Sequence, residues 1–117
     1  MDTRIEGAAP STFVLASRLN HLFDITVKSL DPQGRPVRYS TPEVAYAISA
    51  DPSHPLSISR LTLWQVREGK ANPTMEKVRA IAKFFDDHRP VGAPRVTTSW
   101  LLALGEVGDP GGEPNFE

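Results

Sequence analysis

Between Ser40 and Phe85 the chain falls into three short amphipathic segments divided by turn residues, and the middle one carries a polar face that a plain core helix has no use for. That segment runs from Ile58 to Lys70. Leu63 and Val66 stand on one side of a helix there, which leaves Arg60, Leu61, Trp64, Gln65 and Arg67 mostly outward. A basic, amide-bearing, aromatic face on so short a helix has chemistry suited to a DNA major groove. The same residues also fit a surface helix of no special role.

The flanking segments read as helices with strong punctuation. Ser40-Thr41-Pro42-Glu43 is a helix start: a hydroxyl cap, a proline in the first turn, and an acid at the positive dipole end. Val44, Ala45, Ala47 and Ile48 form its buried side, and Asp51-Pro52-Ser53-His54-Pro55 stops it near Ala50. Ser59 caps the third helix and Gly69 ends it in a left-handed conformation. Asn72-Pro73-Thr74 opens a fourth, striped with Met75, Val78, Ile81, Ala82 and Phe85. Upstream, Ser11 caps a first helix to about Val27, its Leu15, Leu19, Leu22 and Phe23 spaced as a core stripe. Ser29 to Tyr39 then holds two prolines and a glycine, a long connection with room for a hairpin-like excursion. Thr97 or Thr98 caps a fifth helix carrying Trp100, Leu101 and Leu104, closed by Gly105. The expectation is therefore an all-α domain of five helices over 11–104, without a strand of any length. Residues 1–10 are expected to be flexible and 105–117 to form a disordered acidic tail.

Charge looks at first to oppose a polyanionic partner, because the chain of 117 residues carries a net −1. Four of the acids, Glu106, Asp109, Glu113 and Glu117, lie after Leu104 with no basic residue among them. Without them 13 basic residues face 10 acidic ones, a mild positive bias in the part expected to fold. Cysteine is absent, no apolar run approaches the roughly 18 residues of a membrane span, and the N-terminus lacks a signal-peptide pattern. A cytoplasmic protein without a membrane partner is expected. His21, His54 and His88 lie in separate segments without metal-ligand spacing, and no phosphate-binding glycine loop is present, so neither an enzyme nor a cofactor is expected.

The order of parts resembles the lambda-repressor-like (Cro/C1-type) helix-turn-helix domains. Within that group Ser11-Thr12-Phe13, Arg18-Leu19-Asn20, Leu22-Phe23-Asp24, Gln65-Val66-Arg67, Gly69, Asn72-Pro73 and Phe84-Phe85 resemble the N-terminal half of the EspR-like family, actinobacterial nucleoid-associated transcription factors. The resemblance spans about residues 11–104 and implies double-stranded DNA as partner, with nucleoid association. Chemistry assigns base readout to the helix 59–68: Arg60 to a guanine edge, Gln65 to adenine, Leu61 and Trp64 to thymine methyls or sugar, Ser59 and Thr62 to base or phosphate. The resemblance implies phosphate contacts from Lys70 and Asn72, and from Ser40 and Thr41 at a helix N-terminus. Arg67 joins the phosphate set, or else pairs with Glu68 or Glu76.

Two departures stand out. The connection from Asp51 to Ile58 is longer than the usual three- to four-residue turn. No room remains for the further dimerisation domain of the EspR-like proteins, so a homodimer would use the fifth helix and exposed Trp100 and Leu101, form only on DNA, or be absent. The competing function is a protein-interaction module, antitoxin-like or regulator-binding, that keeps the helix-turn-helix and not the DNA role.

Overall fold

A computed structural model describes residues 9–53 and 56–104, with side chains from 12 onward. Its order is α1 (Ala9–Ile25), β1 (Val27–Leu30), β2 (Pro36–Arg38), α2 (Thr41–Ala50), α3 (Arg60–Arg67), α4 (Met75–Asp87) and α5 (Thr98–Leu102). Leu15, Leu19, Leu22 and Phe23 bury the stripe of α1 against Val44 and Ile48, Leu63 and Val66, Val78, Ile81 and Phe85, and Leu101. Phe23 and Phe85 meet edge to face with ring centroids 5.1 Å apart. α1 packs on α3 and α5, α2 on α3 and α4, and α4 on α5. The short α3 is thus held by helices on both of its inner flanks.

The expectation of an all-α domain is corrected here. β1 and β2 pair antiparallel, with Val27 opposite Arg38, Ser29 opposite Val37 and Leu30 opposite Pro36, so strands accompany the five helices. Asp31-Pro32-Gln33-Gly34 makes the turn. Gly34 N–H donates to the Asp31 carbonyl at 2.8 Å, and Gly34 sits at φ 81°, where only glycine is unstrained. Asp31 Oδ1 accepts from the backbone of Gln33 and Arg35. Every residue of both strands is exposed, so no alternating apolar pattern marked them. A bulge between Val27 and Ser29 interrupts the register at Lys28, whose ammonium bonds the Glu43 carboxylate of α2. The hairpin also cuts α1 short at Ile25, leaving Thr26 buried.

Helix ends follow the local chemistry. Ser40 and Glu43 form a complete capping box on α2. Ser59, Thr74 and Thr97 each accept a backbone N–H three residues on, at the starts of α3, α4 and α5. Gly69, at φ 73°, closes α3: its N–H bonds the Val66 carbonyl and Lys70 N–H bonds that of Gln65 at 2.8 Å, the double pairing of a Schellman end. α5 ends the same way with Ala103 at φ 59° and Leu104 N–H on the Ser99 carbonyl. Gly105, expected to close it, lies outside the described residues, as do 1–8, His54, Pro55 and the acidic tail. Leu104, expected on the α5 stripe, is exposed beyond the helix end, and Met75 is exposed at the start of α4.

Candidate nucleic-acid interface

The pose of α3 is fixed at both of its ends. Between α2 and α3 the chain leaves the helical track and returns through Ile58, which is buried in the core. The Ser49 hydroxyl of α2 clamps that return: it accepts from Ile58 N–H at 3.0 Å and donates to the Ile58 carbonyl at 3.2 Å. One side chain so satisfies a buried backbone donor and acceptor where a long connection leaves no helical partner. At the far end Arg67 ties α3 to two other helices. Its Nε donates to Asn20 Oδ1 of α1 at 2.6 Å, and its Nη1 donates to Thr41 Oγ1 of α2 at 2.9 Å. Asn20 Nδ2 returns a bond to the Arg67 carbonyl at 2.9 Å. The guanidinium lies over the Phe23 ring, 3.8 Å from its centroid. Burial pulls its pKa down, against the opposing fields of Asp24 and Glu68. Arg67 is therefore a joint between helices, and its hydrogen bonds go to neither Glu68 nor Glu76.

Between these fixed ends Leu63 and Val66 face the core, fully buried. The opposite side carries Arg60, exposed, Leu61 at 60% exposure, Trp64 at 44% and Gln65, half-buried. Among the described residues, nothing bonds the head groups of Arg60 and Gln65. Lys70 follows the helix with its ammonium 5.2 Å from the Trp64 ring centroid, and Asn72 is exposed just beyond. Arg60, Leu61, Trp64, Gln65, Lys70 and Asn72 thus belong to one helix and its exit.

The remaining expected site residues are engaged in structure. Ser59 Oγ accepts from Thr62 N–H at 3.0 Å and donates to Thr62 Oγ1 at 2.9 Å, so both hydroxyls serve the cap of α3. Ser40 N–H donates to Glu43 Oε1 at 2.8 Å, and Thr41 receives Arg67. The Lys28 ammonium, with the Ser40 N–H beside it, holds the Glu43 carboxyl down to about 2. A carboxylate with its own lysine therefore already stands at the α2 N-terminus that the resemblance implied for phosphate. Leu101, expected as an exposed dimerisation residue, is fully buried in the core, because α5 packs on both α1 and α4. Trp100 is half-buried, its carbonyl bonded by Arg18, whose guanidinium stands 5.1 Å from the indole centroid.

Sequence reasoning missed the positioning residues Asn20 and Ser49. An asparagine in the middle of a helix is poorly suited to that helix, which is the one local hint of a tertiary task; Ser49 offers none. Among the described residues no group of three His, Asp or Glu side chains could hold a metal ion, and no helix is long and apolar enough to cross a membrane. Set against known protein families, characterised proteins and solved structures, the chain matches none.

Proposed function

We propose that the chain is a non-catalytic DNA-binding transcriptional regulator, nucleoid-associated in the cytoplasm, that lays α3 in the major groove. α2, the clamped connection and α3 serve as its helix-turn-helix, in the manner of the lambda-repressor-like domains its sequence resembles. The carrying observation is the outward face of α3: Arg60 and Gln65 stand unengaged by any described residue on a helix whose two ends are fixed. Unengaged guanidinium and amide groups can make bidentate contacts to guanine and adenine edges. Leu61 and Trp64 supply contacts to thymine methyls and sugars, while Lys70 and Asn72 hold phosphate.

Fluorescence anisotropy against mixed genomic duplexes at two salt concentrations tests this. Affinity should fall with salt at a log–log slope of about −2 to −4, set by the few phosphates met. Arg60→Ala with Gln65→Ala should erase sequence preference while leaving the fold intact. Salt-insensitive binding, or a double variant with unchanged preference, removes α3 from the reading role.

A second reading is favoured by one observation. Leu61 and Trp64 expose apolar surface on the same helix that a protein partner would also bury. On this reading the chain is a protein-interaction module, and a pull-down without DNA would protect α3 amides from exchange.

A further inference from the structure

The end of α1, the end of α4 and the segment leading into α5 enclose an open-sided cleft of about 140 Å³. Its walls are apolar: Leu22, Phe85, Val96 and Trp100. An apolar space of that size has room for one benzene-sized body. Two features set it apart from a packing gap. Thr26, at 1% exposure the one buried polar side chain among the described residues, lines the cleft, and its hydroxyl bonds no described residue. A buried hydroxyl without a partner is costly enough that native proteins seldom leave one.

The second feature is the rim. Arg89 and Arg95 both line the cleft. Asp86 orients them: Arg95 gives it Nε and Nη2, the latter at 2.7 Å, and Arg89 gives it Nη1 at 2.9 Å. Arg89 keeps Nη2 and Arg95 keeps Nη1 without a described partner. Two arginines against one aspartate leave the rim a net positive charge, with exposed His21 beside it. Guanidinium edges held in place this way recognise carboxylates.

We propose that this cleft binds a small aromatic carboxylic acid, its ring against Val96 and Trp100, its carboxylate on Arg89, Arg95 and the Thr26 hydroxyl. The site shares no residue with the outward face of α3 and stands independently of the DNA reading.

The probe is benzoate, titrated into the isotope-labelled chain and followed by amide and indole NMR shifts, with benzyl alcohol as the uncharged arm. Saturable shifts centred on Ile25, Thr26, Val96 and the Trp100 indole are expected, with a dissociation constant of about 1 mM or tighter. Benzyl alcohol, Arg95→Gln and Thr26→Val should each weaken binding about tenfold, and Ala93→Leu should abolish it by filling the space. Thr26→Val keeps the side-chain shape and so carries the test should Arg95→Gln disturb the rim. The proposal is overturned by unsaturable or scattered shifts, by benzyl alcohol binding as well as benzoate, or by binding that survives both Thr26→Val and Ala93→Leu.

Discussion

Replacing Arg67 should loosen the domain far more than loss of an exposed surface charge would. The side chain donates to Asn20 at 2.6 Å and Thr41 at 2.9 Å and lies 3.8 Å above the Phe23 ring centroid, so it joins α1, α2 and α3 at one point. Each charge-assisted bond contributes about 1.5 kcal/mol at the low end of its range, appropriate to a half-buried group. The contact with Phe23 adds about 1 kcal/mol. Desolvating the guanidinium offsets about 1–2 kcal/mol of that sum. The net loss for Arg67→Ala is then about 2–3 kcal/mol, or on the order of 10–20 °C in Tm for a domain of this size. Thermal and urea unfolding followed by circular dichroism measure it. Arg67→Lys should recover less than half, because an ammonium lacks the planar fork that reaches two acceptors. In a double-mutant cycle with Asn20→Ala the coupling should exceed about 1 kcal/mol. A loss within about 0.5 kcal/mol of the parent, as at an ordinary surface position, or strict additivity with Asn20→Ala, would refute the joint.

Further expectations follow from the same geometry. Ser49→Ala leaves the Ile58 N–H and carbonyl without their clamp and should cost about 1–2 kcal/mol in urea unfolding, with faster amide exchange at the start of α3. Gly69→Ala meets only ordinary contacts, Ala16 Cβ at 3.8 Å and the Thr12 carbonyl at 3.9 Å; its cost of about 1 kcal/mol comes from the left-handed backbone, and Ala103→Gly should gain about 0.5 kcal/mol for the converse reason. Asp86 has its pKa lowered to about 2, chiefly by Arg95. A depressed folded pKa stabilises above the unfolded value near 4 and loses that contribution as pH falls toward 2. Asp86→Asn should therefore destabilise the domain at pH 7, with the difference from the parent closing through that window in a Tm-versus-pH series.

What could be read from the sequence was mostly local. The hydroxyl cap at Ser40 with Glu43 in the first turn, the cap at Ser59, the cap at Thr97 (one of two adjacent threonines that fitted), and the left-handed end at Gly69 each depend on residues within one turn, and each lies where expected. The core stripes of α1 and α4 were legible from spacing, since Leu15, Leu19, Leu22, Phe23, Val78, Ile81 and Phe85 are all buried. The hairpin was legible only as a hairpin-like excursion between Ser29 and Tyr39: its strands hold four and three residues, all exposed, and produce no alternation to detect. Asp31-Pro32-Gln33-Gly34 did carry the composition of a tight turn, which marked the place of the hairpin without revealing its strands. The candidate interface divided along the same line. Which residues of α3 face outward follows from helical period. Arg67's attachment to Asn20, 47 residues earlier in the chain, is tertiary and leaves no trace in local pattern. Leu101 was read as exposed because the docking of α5 on α1 and α4 is likewise invisible in sequence.

The most direct test of α3 as the reading element is hydrogen exchange of the intact chain with and without a saturating duplex recovered by selection from genomic fragments. The account predicts protection centred on Arg60 to Gln65 and extending to Lys70 and Asn72, with Arg60→Ala/Gln65→Ala abolishing both selection and protection. Protection confined to other elements, or no duplex recovered above background at low salt, would contradict it.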